Sequence, residues 1–567
     1  MEILHGISVS PGIAIGKIHI IKQKIYQIGT LKIHPDQRQH ELQKLDITLE
    51  AVLKKTDKFI EDYAHSPQDK EIFESQRMIL LDPEVKLAIQ NLINDELLTV
   101  EQAVSKHFSY LVKYFQNMKN EYFAQRANDF EDVSHNLLEQ LVESDRAEKV
   151  VISPDAIIIT KEITPSQVSI YANAKVSGIC TEKGSHTSHS AILARAFGIP
   201  YIAAVPDLMD KCHDAASVVV DAQTGNIILD PNNEMLAQYK TQLHDLIAHQ
   251  RLLQSIDKCD AITGTGKRIR LLANLEFPEE IDAIVKNQID GIGLFRTEFL
   301  YLDRVILPSE DTQFDIYRTI IQKIGEHSLT IRTFDLGGDK LSHILNLDKE
   351  ENPYLGCRGL RFSLQHRDIF RIQIRAILRA AVYGNIKIMF PMVIGAEDMH
   401  EGRQFVMECA AELEKEGKDF ARNIKIGAMI EIPSAALCAD TLADECDFFS
   451  IGTNDLVQYT LAVDRNNDRV AGYYQVYHPS VLSLIRMTVE KAHAKGLKVS
   501  VCGEMASEKP YINLLLALGV DELSCNSKQL LSVKDCILHF DEETRQKYSS
   551  ITSSSTIQEI KSILNIV

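Results

Sequence analysis

The sequence predicts an α/β multidomain protein, in which an α/β domain carries an inserted all-α domain and is followed by a C-terminal (β/α)8 barrel. Three observations favour this architecture. Between residues 35 and 148 glycine is absent, and apolar residues recur every three or four positions, which is typical of helices. Strand-like runs lie on both sides of that block. After residue 263 short apolar runs alternate with amphipathic stretches, as in a barrel built from strand-helix units.

The pattern along the chain predicts where these domains begin and end. Asp82-Pro83 indicates a helix start inside the all-α block, with Asp82 as the N-cap and Pro83 in the first turn. Strands are predicted over 156–159, 176–180, 218–221 and 226–229, and one long helix over 233–256. The predicted domains are an α/β domain (1–22 and 145–230), a helical insertion (23–144), a connecting helix (231–262) and a barrel (263–567).

Eight strand-helix units fit the length of the C-terminal part better as a closed barrel than as an open sheet. In such a barrel the reactive side chains follow the carboxyl ends of the strands. We expect one strand, which is less obvious than the others, near Gly356. The other predicted strands begin at Ile269, Gly291, Leu329, Ile386, Ile426, Phe448 and Val499.

The composition excludes some classes of protein. The 567 residues include 61 Lys and Arg against 79 Asp and Glu, a formal net charge of −18. This balance argues against nucleic-acid binding through phosphate neutralisation, although a few local arginines can still bind an anion. It is also compatible with a basic protein partner. Because no run of about 18 apolar residues and no signal peptide is evident, we expect no membrane insertion. The ten cysteines form no CxxC pair, so we expect reduced thiols and a cytoplasmic location.

A small-residue loop between a strand and a helix contains two histidines, His186 and His189. His189 is predicted at the start of the helix, where free backbone N–H groups favour a phosphate or a phosphorylated imidazole. Arg195 lies too far along this helix to cap the loop, but it could reach a phosphoryl oxygen. The alternative interpretation is a pair of histidines in a polar loop without a chemical role.

The barrel sequence places charged and polar side chains after its strands. Arginines in this position indicate a cage for a multiply charged anion, because guanidinium groups match phosphate and carboxylate geometry, although structural ion pairs are the alternative. Glu431 and Asp455 could bind Mg²⁺ through hard oxygen ligands, or else be a buried paired carboxylate and an N-cap. Cys502 ends a strand, where packing is the usual role of a cysteine. The arginines are Arg296, Arg332, Arg358 and Arg465.

Together these parts indicate Mg²⁺-assisted phosphoryl transfer between a small anionic donor and a histidine. Four segments carry a resemblance to a known family, enzyme I of the bacterial sugar phosphotransferase system, and it runs over nearly the whole chain. The helical insertion is the weakest part of the match. The segments are Gly6-Ile7-x-x-Ser10-Pro11-Gly12-Ile13-Ala14, Thr187-Ser188-His189-Ser190-Ala191-Ile192, Asp335-Leu336-Gly337-Gly338-Asp339-Lys340 and Ile451-Gly452-Thr453-Asn454-Asp455-Leu456-x-Gln458-Tyr459.

The resemblance implies a role for each candidate residue. His189 matches the histidine that phosphoenolpyruvate phosphorylates, and Cys502 matches the residue that protonates the enolate. Glu431 and Asp455 match the ligands of the Mg²⁺ cofactor. The helical insertion corresponds to the docking domain for the histidine phosphocarrier protein HPr, and a homodimer through the barrel is implied. The residues that match phosphoenolpyruvate ligands are Arg296, Arg332, Asn454, Asp455 and Arg465, with Lys340 and Arg358 as further contacts.

The chain departs from the family pattern before the active histidine. The family commonly has a double glycine before Thr-Ser-His, whereas here Gly184 is followed by Ser185 and His186, and Ala222 replaces a glycine of a later turn. The loop could therefore be stiffer than usual, and His186 could compete for the phosphoryl group. We expect His189 to be the acceptor, because only His189 follows Thr-Ser and precedes the helix.

Two other functions remain open at this point. Pyruvate phosphate dikinase and phosphoenolpyruvate synthase share the histidine domain and the barrel, but they require an ATP-binding domain, and here helical residues without a glycine-rich loop occupy that region. A regulatory paralogue that senses phosphoenolpyruvate would be expected to carry an additional sensory domain or to have lost part of the site, whereas every catalytic residue type is present.

Overall fold

A computed structural model describes residues 2–21, 28–63, 67–116, 121–143, 153, 155–186, 188–301, 307–336, 350–465, 467, 469–553, 556–564 and 566. The chain divides into two compact units, residues 1–248 and 249–567. No helix among the residues described is both long and apolar enough to span a bilayer. The domain boundaries predicted inside these units stay predictions.

The first unit contains one mixed sheet and a set of helices. In the described residues the sheet has the order β1-β8-β7-β3-β4-β5-β6-β2, and its strands β3, β4, β5 and β6 pair in parallel. The strands are β1 (Glu2–His5), β2 (Ile7–Ser10), β3 (Ile13–Ile21), β4 (Ala156–Thr160), β5 (Gly178–Thr181), β6 (Tyr201–Ala203), β7 (Ser217–Asp221) and β8 (Asn226–Leu229). The helices are α1 (Arg38–Tyr63), α2 (Pro67–Leu81), α3 (Pro83–Glu96), α4 (Val100–Gln116), α5 (Glu121–Glu143), α6 (Pro165–Asn173), α7 (His189–Phe197), α8 (Leu208–Lys211) and α9 (Asn233–Ser255).

Alternating side chains of β4 fill two cores, one on each face of this sheet. Ile158 belongs to the core on one face, while Ile157 and Ile159 belong to the core on the other. Helices α1 to α5 form a separate apolar core, as the three- and four-residue spacing predicted. The N-cap prediction is confirmed, because the Asp82 carboxylate accepts the Glu84 N–H at 2.9 Å and Pro83 is the first residue of α3.

The second unit is a closed barrel of parallel strands, in agreement with the prediction. Its strands are β9 (Arg270–Leu275), β10 (Gly291–Phe295), β11 (Ser328–Arg332), β12 (Ile386–Phe390), β13 (Lys425–Ile430), β14 (Phe449–Ile451), β15 (Val499–Val501) and β16 (Glu522–Asn526), and β16 closes on β9. Its helices are α10 (Ile281–Ile284), α11 (Glu310–Ile324), α12 (Leu360–Gln365), α13 (Arg367–Ala380), α14 (Ala396–Lys415), α15 (Pro433–Leu437), α16 (Ala439–Leu442), α17 (Thr453–Leu461), α18 (Pro479–Ala494), α19 (Lys509–Ala517), α20 (Leu530–Leu538), α21 (Glu542–Ser549) and α22 (Ile557–Leu564).

The strand predicted near Gly356 is wrong. The chain turns there, and the Gly356 N–H donates to the Pro353 carbonyl at 3.3 Å. The missing barrel strand is β16, whose polar residues conceal it in the sequence. Two of them are paired inside the barrel: Glu522 accepts from Arg270 at 2.6 Å, and the Ser524 hydroxyl donates to Asn274 at 2.7 Å.

Candidate active site

A cavity of about 370 Å³ opens at the carboxyl ends of the barrel strands. Arg332 is the last residue of β11, and Arg296, Glu431 and Cys502 directly follow β10, β13 and β15. Because parallel strands all end at the same rim of a barrel, residues far apart in sequence converge there. The predicted residues that line this cavity are Arg296, Arg332, Arg358, Glu431, Asn454, Asp455, Arg465 and Cys502.

Two arginines of the cavity are already paired with carboxylates, one of them buried (Asp335) and one partly buried (Glu298). Arg332 donates to Glu298 at 2.9 Å, and its second guanidinium nitrogen is 3.5 Å from Asp335. Arg358 donates to both oxygens of Asp335, at 2.6 Å and 3.0 Å. Burial lowers the pKa of each arginine, but these carboxylates outweigh that effect, so both pKa values lie above the ordinary range. Arg332 and Arg358 are therefore permanently charged and held in place.

The other two arginines are more open to solvent. The Arg296 guanidinium is 3.5 Å from the exposed carboxylate of Glu276. Arg465 is exposed, and its backbone N–H donates to the side-chain oxygen of Gln458 at 3.2 Å. Because these contacts are long or involve only the backbone, both guanidinium groups can turn toward an anion in the cavity.

Glu431 is fully buried at the base of the cavity. One of its oxygens accepts the Met392 N–H at 2.6 Å, while the other is buried and has no hydrogen-bond partner. Burial, together with the nearby charges of Asp455 and Asp335, raises the pKa of Glu431 to about 8. A buried carboxylate oxygen without a partner is costly for the free protein, which suggests that a further group satisfies it during function.

These residues fit a divalent cation that is bound mainly through its substrate. Glu431 and Asp455 supply hard oxygen ligands to the same cavity. No cluster of three or more His, Cys, Asp or Glu side chains suited to a metal occurs in the part of the chain that the structure describes. Two carboxylates with water and substrate oxygens would complete such a site, which is how Mg²⁺ is commonly bound beside phosphates.

Cys502 is almost fully buried among apolar side chains at the cavity wall. Its thiol lies 3.7 Å from the Ile451 carbonyl, and its backbone N–H donates to the same oxygen at 3.1 Å. Burial raises the pKa of the Cys502 thiol, and an interaction with the Ser450 hydroxyl partly offsets that rise. The thiol therefore stays protonated at neutral pH and can act as a proton donor.

His189 lies in the first unit, as the first residue of α7, and the Ser188 side chain caps this helix by accepting the Ala191 N–H at 3.3 Å. The His189 side chain, Thr187 and Lys340 lie outside the described residues. The prediction that Arg195 lies too far along the helix to cap the loop is wrong. Arg195 reaches back to the loop and donates to the carbonyl oxygens of His186 at 2.9 Å and Val9 at 3.1 Å, because its long side chain folds along the helix toward the N-terminus.

Sequence reasoning did not identify several polar residues of the site. Glu298 and Asp335 orient Arg332 and Arg358. Glu504 pairs with Asn454, and the Tyr459 hydroxyl donates to the Tyr354 carbonyl at 2.6 Å. Glu298, Asp335 and Glu504 each come two or three residues after a strand-end residue that the prediction did identify. That spacing was the available signal, since such side chains reach the same rim of the barrel.

Comparison with known proteins gives the class to which the fold and the cavity belong. The chain matches the family models of PEP-utilising enzymes in three parts: the N-terminal domain over residues 5–126, the mobile domain over 152–225 and the PEP-binding domain over 250–542. The barrel with its cavity is thus the part that matches a domain for binding phosphoenolpyruvate.

Individual relatives narrow the class to one family. The phosphoenolpyruvate-protein phosphotransferase of Priestia megaterium is 36% identical over 98% of this chain and 97% of its own length, and that of Bacillus subtilis (strain 168) is 36% identical over 99% and 98%. An NMR solution structure of an enzyme I protein covers 43% of this chain and 99% of its own, at 28% identity and a TM-score of 0.37. The chain belongs to the family of phosphoenolpyruvate-protein phosphotransferases and is an enzyme.

Proposed function

We propose that this enzyme transfers the phosphoryl group of phosphoenolpyruvate to its own His189 and then to a histidine of the phosphocarrier protein HPr. Pyruvate is the second product, and the reaction is the first step of the sugar phosphotransferase relay. The observation that carries the proposal is the convergence on one cavity of four arginines, a buried thiol and the two candidate metal ligands, Glu431 and Asp455.

The arginines suit the two charged groups of phosphoenolpyruvate. Arg332 and Arg358 are fixed by carboxylates, so they bind an anion with little loss of side-chain freedom. Arg296 and Arg465 are more mobile in their contacts and would close on the substrate from the open side. Asn454 adds a neutral donor, and Lys340 is proposed as a further contact on the strength of the family motif.

Glu431 and Asp455 would hold Mg²⁺, which supplies charge neutralisation for the phosphoryl oxygens when it is bound. This assignment accounts for the buried Glu431 oxygen that has no hydrogen-bond partner. In the free protein, burial and the nearby charge of Asp455 both raise the pKa of Glu431, so ionising this carboxyl is costly. A cation held by these two residues would stabilise the ionised form of Glu431.

In the transfer step, the bond between phosphorus and the enol oxygen of phosphoenolpyruvate breaks, and a bond forms between phosphorus and an imidazole nitrogen of His189. The electron pair of the broken bond stays on the enol oxygen, which leaves an enolate. The Cys502 thiol then donates its proton to the terminal carbon, and pyruvate forms. The resulting thiolate recovers a proton from water before the next turnover.

The acidic helical insertion is the proposed docking site for HPr, with Asp69, Glu71, Glu74, Asp82 and Glu84 as rim charges. Glu74, Asp82 and Glu84 are exposed, while the side chains of Asp69 and Glu71 lie outside the described residues. We further propose a homodimer formed through the barrel and a cytoplasmic location. The ten free cysteines are consistent with a reducing compartment.

The test is phosphorylation of the purified enzyme by labelled phosphoenolpyruvate with Mg²⁺. The wild type should acquire an acid-labile label, as expected of a phosphorylated imidazole, and His189→Ala should not. His186→Ala is the matched control, because His186 belongs to the same loop and should be dispensable. Label that persists in His189→Ala, or that is lost in His186→Ala, contradicts the assignment. Transfer of label to HPr tests the second step.

A further inference from the structure

The side-chain amide of Asn454 is held in one orientation by Glu504. The Asn454 amide nitrogen donates to the Glu504 carboxylate at 3.0 Å, and the Glu504 backbone N–H donates to the Asn454 amide oxygen at 3.0 Å. A carboxylate only accepts hydrogen bonds and a backbone N–H only donates them. Rotating the amide by half a turn would place two acceptors together and two donors together. The pair therefore determines which end of the amide is the nitrogen.

The same two segments are joined by other contacts. Asn454 lies in the first turn of α17, after β14, and Glu504 follows β15, which is the neighbouring strand. The backbone of Gly503 packs so closely on Thr453 that a Cβ atom there would lie 1.9 Å from the threonine hydroxyl. The Tyr474 hydroxyl donates to the Asn454 carbonyl at 3.1 Å. The backbone on both sides of the pair is thus fixed.

We infer that Glu504 is a positioning residue for substrate binding, which acts through Asn454 rather than by touching phosphoenolpyruvate. The inference rests on the proposed function, in which Asn454 is a substrate ligand. Once one N–H of the amide is bound to Glu504, the second N–H has a fixed direction and remains available to an anionic oxygen of the substrate. The Glu504 carboxylate accepts the other N–H of the amide, so its negative charge is directed at Asn454 and not at the anionic oxygen of the substrate.

A set of variants measures this role through the KM for phosphoenolpyruvate. Glu504→Ala removes the acceptor and should raise KM by roughly 3- to 10-fold, the effect of losing one partly exposed hydrogen bond, with kcat nearly unchanged. Glu504→Gln keeps an acceptor oxygen and should recover most of the loss. Glu508→Ala is the matched control, since it removes another exposed carboxylate of the same segment and should leave KM unchanged.

The double variant separates positioning from a general structural effect. If Glu504 acts through Asn454, then Asn454→Ala with Glu504→Ala should have the same KM as Asn454→Ala alone. Thermal denaturation of every variant checks that the fold is intact. If Glu504→Ala does not fold, Glu504→Met, which has a similar length but no acceptor oxygen, takes its place. Two outcomes overturn the inference and leave the proposed function standing. One is an additive rise of KM in the double variant, and the other is a wild-type KM in Glu504→Ala while Asn454→Ala has a raised KM. A wild-type KM in Asn454→Ala instead overturns the ligand assignment on which it rests.

Discussion

Asp335 holds Arg358 through both of its carboxylate oxygens, at 2.6 Å and 3.0 Å, and the carboxylate is almost completely buried. The same Asp335 lies 3.5 Å from Arg332, whose other partner is Glu298. Two carboxylates and two guanidinium groups thus form one network that lines the cavity. The network fixes the arginines before any substrate arrives, which is the arrangement that makes anion binding less costly in side-chain entropy.

This network predicts that Arg358 contributes to stability as well as to binding. Arg358→Ala removes the shorter of the two ion pairs described for the buried carboxylate of Asp335, so we expect the free energy of unfolding to fall by about 3 kcal/mol. The control is Arg296→Ala, because Arg296 pairs with an exposed Glu276 and should contribute at most about 1 kcal/mol. Both variants should bind phosphoenolpyruvate less well. Chemical denaturation that finds equal stability losses contradicts this prediction.

Unlike Arg358, Glu431 should contribute to activity without contributing to the stability of the metal-free enzyme. Burial raises the pKa of Glu431 to about 8, so this side chain is largely protonated in the metal-free enzyme at neutral pH, and Glu431→Gln replaces it with a neutral group of the same shape. The metal-free variant should therefore be as stable as the wild type or more stable. The same change should weaken the metal site by on the order of 100-fold, because a neutral amide oxygen replaces a charged carboxylate ligand. Thermal denaturation in a chelator and Mg²⁺ titration of turnover measure the two effects.

Asp455→Asn is the companion variant for the metal site. Asp455 is only partly buried, so its replacement should affect the Mg²⁺ requirement without a gain in stability. Normal turnover of both variants at limiting Mg²⁺ would mean that the cation binds elsewhere.

Much of the fold was predictable because residues that are buried at regular intervals along a helix or strand produce a regular spacing of apolar residues in the sequence. The described helices α1 to α5 follow the apolar spacing, and the barrel strands β9 to β15 begin within one residue of the predicted positions. β16 was missed because Glu522 and Ser524 point into partners on β9, so its residues alternate between polar and apolar in a very short run. A buried polar side chain that has a hydrogen-bond partner cannot be distinguished from an exposed one by sequence alone.

The site was predictable to the extent that its residues follow strand ends. Arg296, Arg332, Glu431 and Cys502 do so directly, and the closed barrel brings them to one cavity. The pairing of Asp335 with Arg358, and of Glu504 with Asn454, depends on the register of neighbouring strands and on loop paths. These pairings form only when the barrel closes, so no local sequence pattern could predict them.

The acidic helical insertion should bind HPr through charge. Because Asp82 is also the N-cap of α3, its charge is best removed by Asp82→Asn, which keeps an acceptor for the Glu84 N–H. Asp82→Asn combined with Glu74→Gln and Glu84→Gln should weaken HPr binding and reduce its dependence on salt, since screened surface charges would be lost. Calorimetry at low and high ionic strength measures both.

Glu234→Gln is the control for the acidic surface, because Glu234 is an exposed carboxylate of α9, outside the insertion. It should leave HPr binding and its salt dependence as in the wild type. Wild-type binding that does not respond to ionic strength would count against this surface as the docking site.

Cys502 should matter for the conversion of phosphoenolpyruvate to pyruvate more than for its binding. Cys502→Ser keeps the size of the side chain but has a far weaker acid, so turnover should fall by roughly 10²- to 10⁴-fold if carbon protonation limits the rate. Cys525→Ser is the matched control, because Cys525 is equally buried on the adjacent β16. Turnover per folded molecule should be little affected there.

The pH dependence of turnover gives a second measure of the same thiol. Burial raises the pKa of Cys502, so the protonated and active form persists to a pH above the ordinary thiol pKa of about 8.5. The loss of turnover that follows thiol deprotonation should therefore occur only at still higher pH.

Tritium from solvent should enter the pyruvate methyl group on one face in the wild type, since a fixed donor protonates one face of the enolate. A Cys502→Ser enzyme with the same rate and the same stereochemistry would show that another group, or water, delivers the proton.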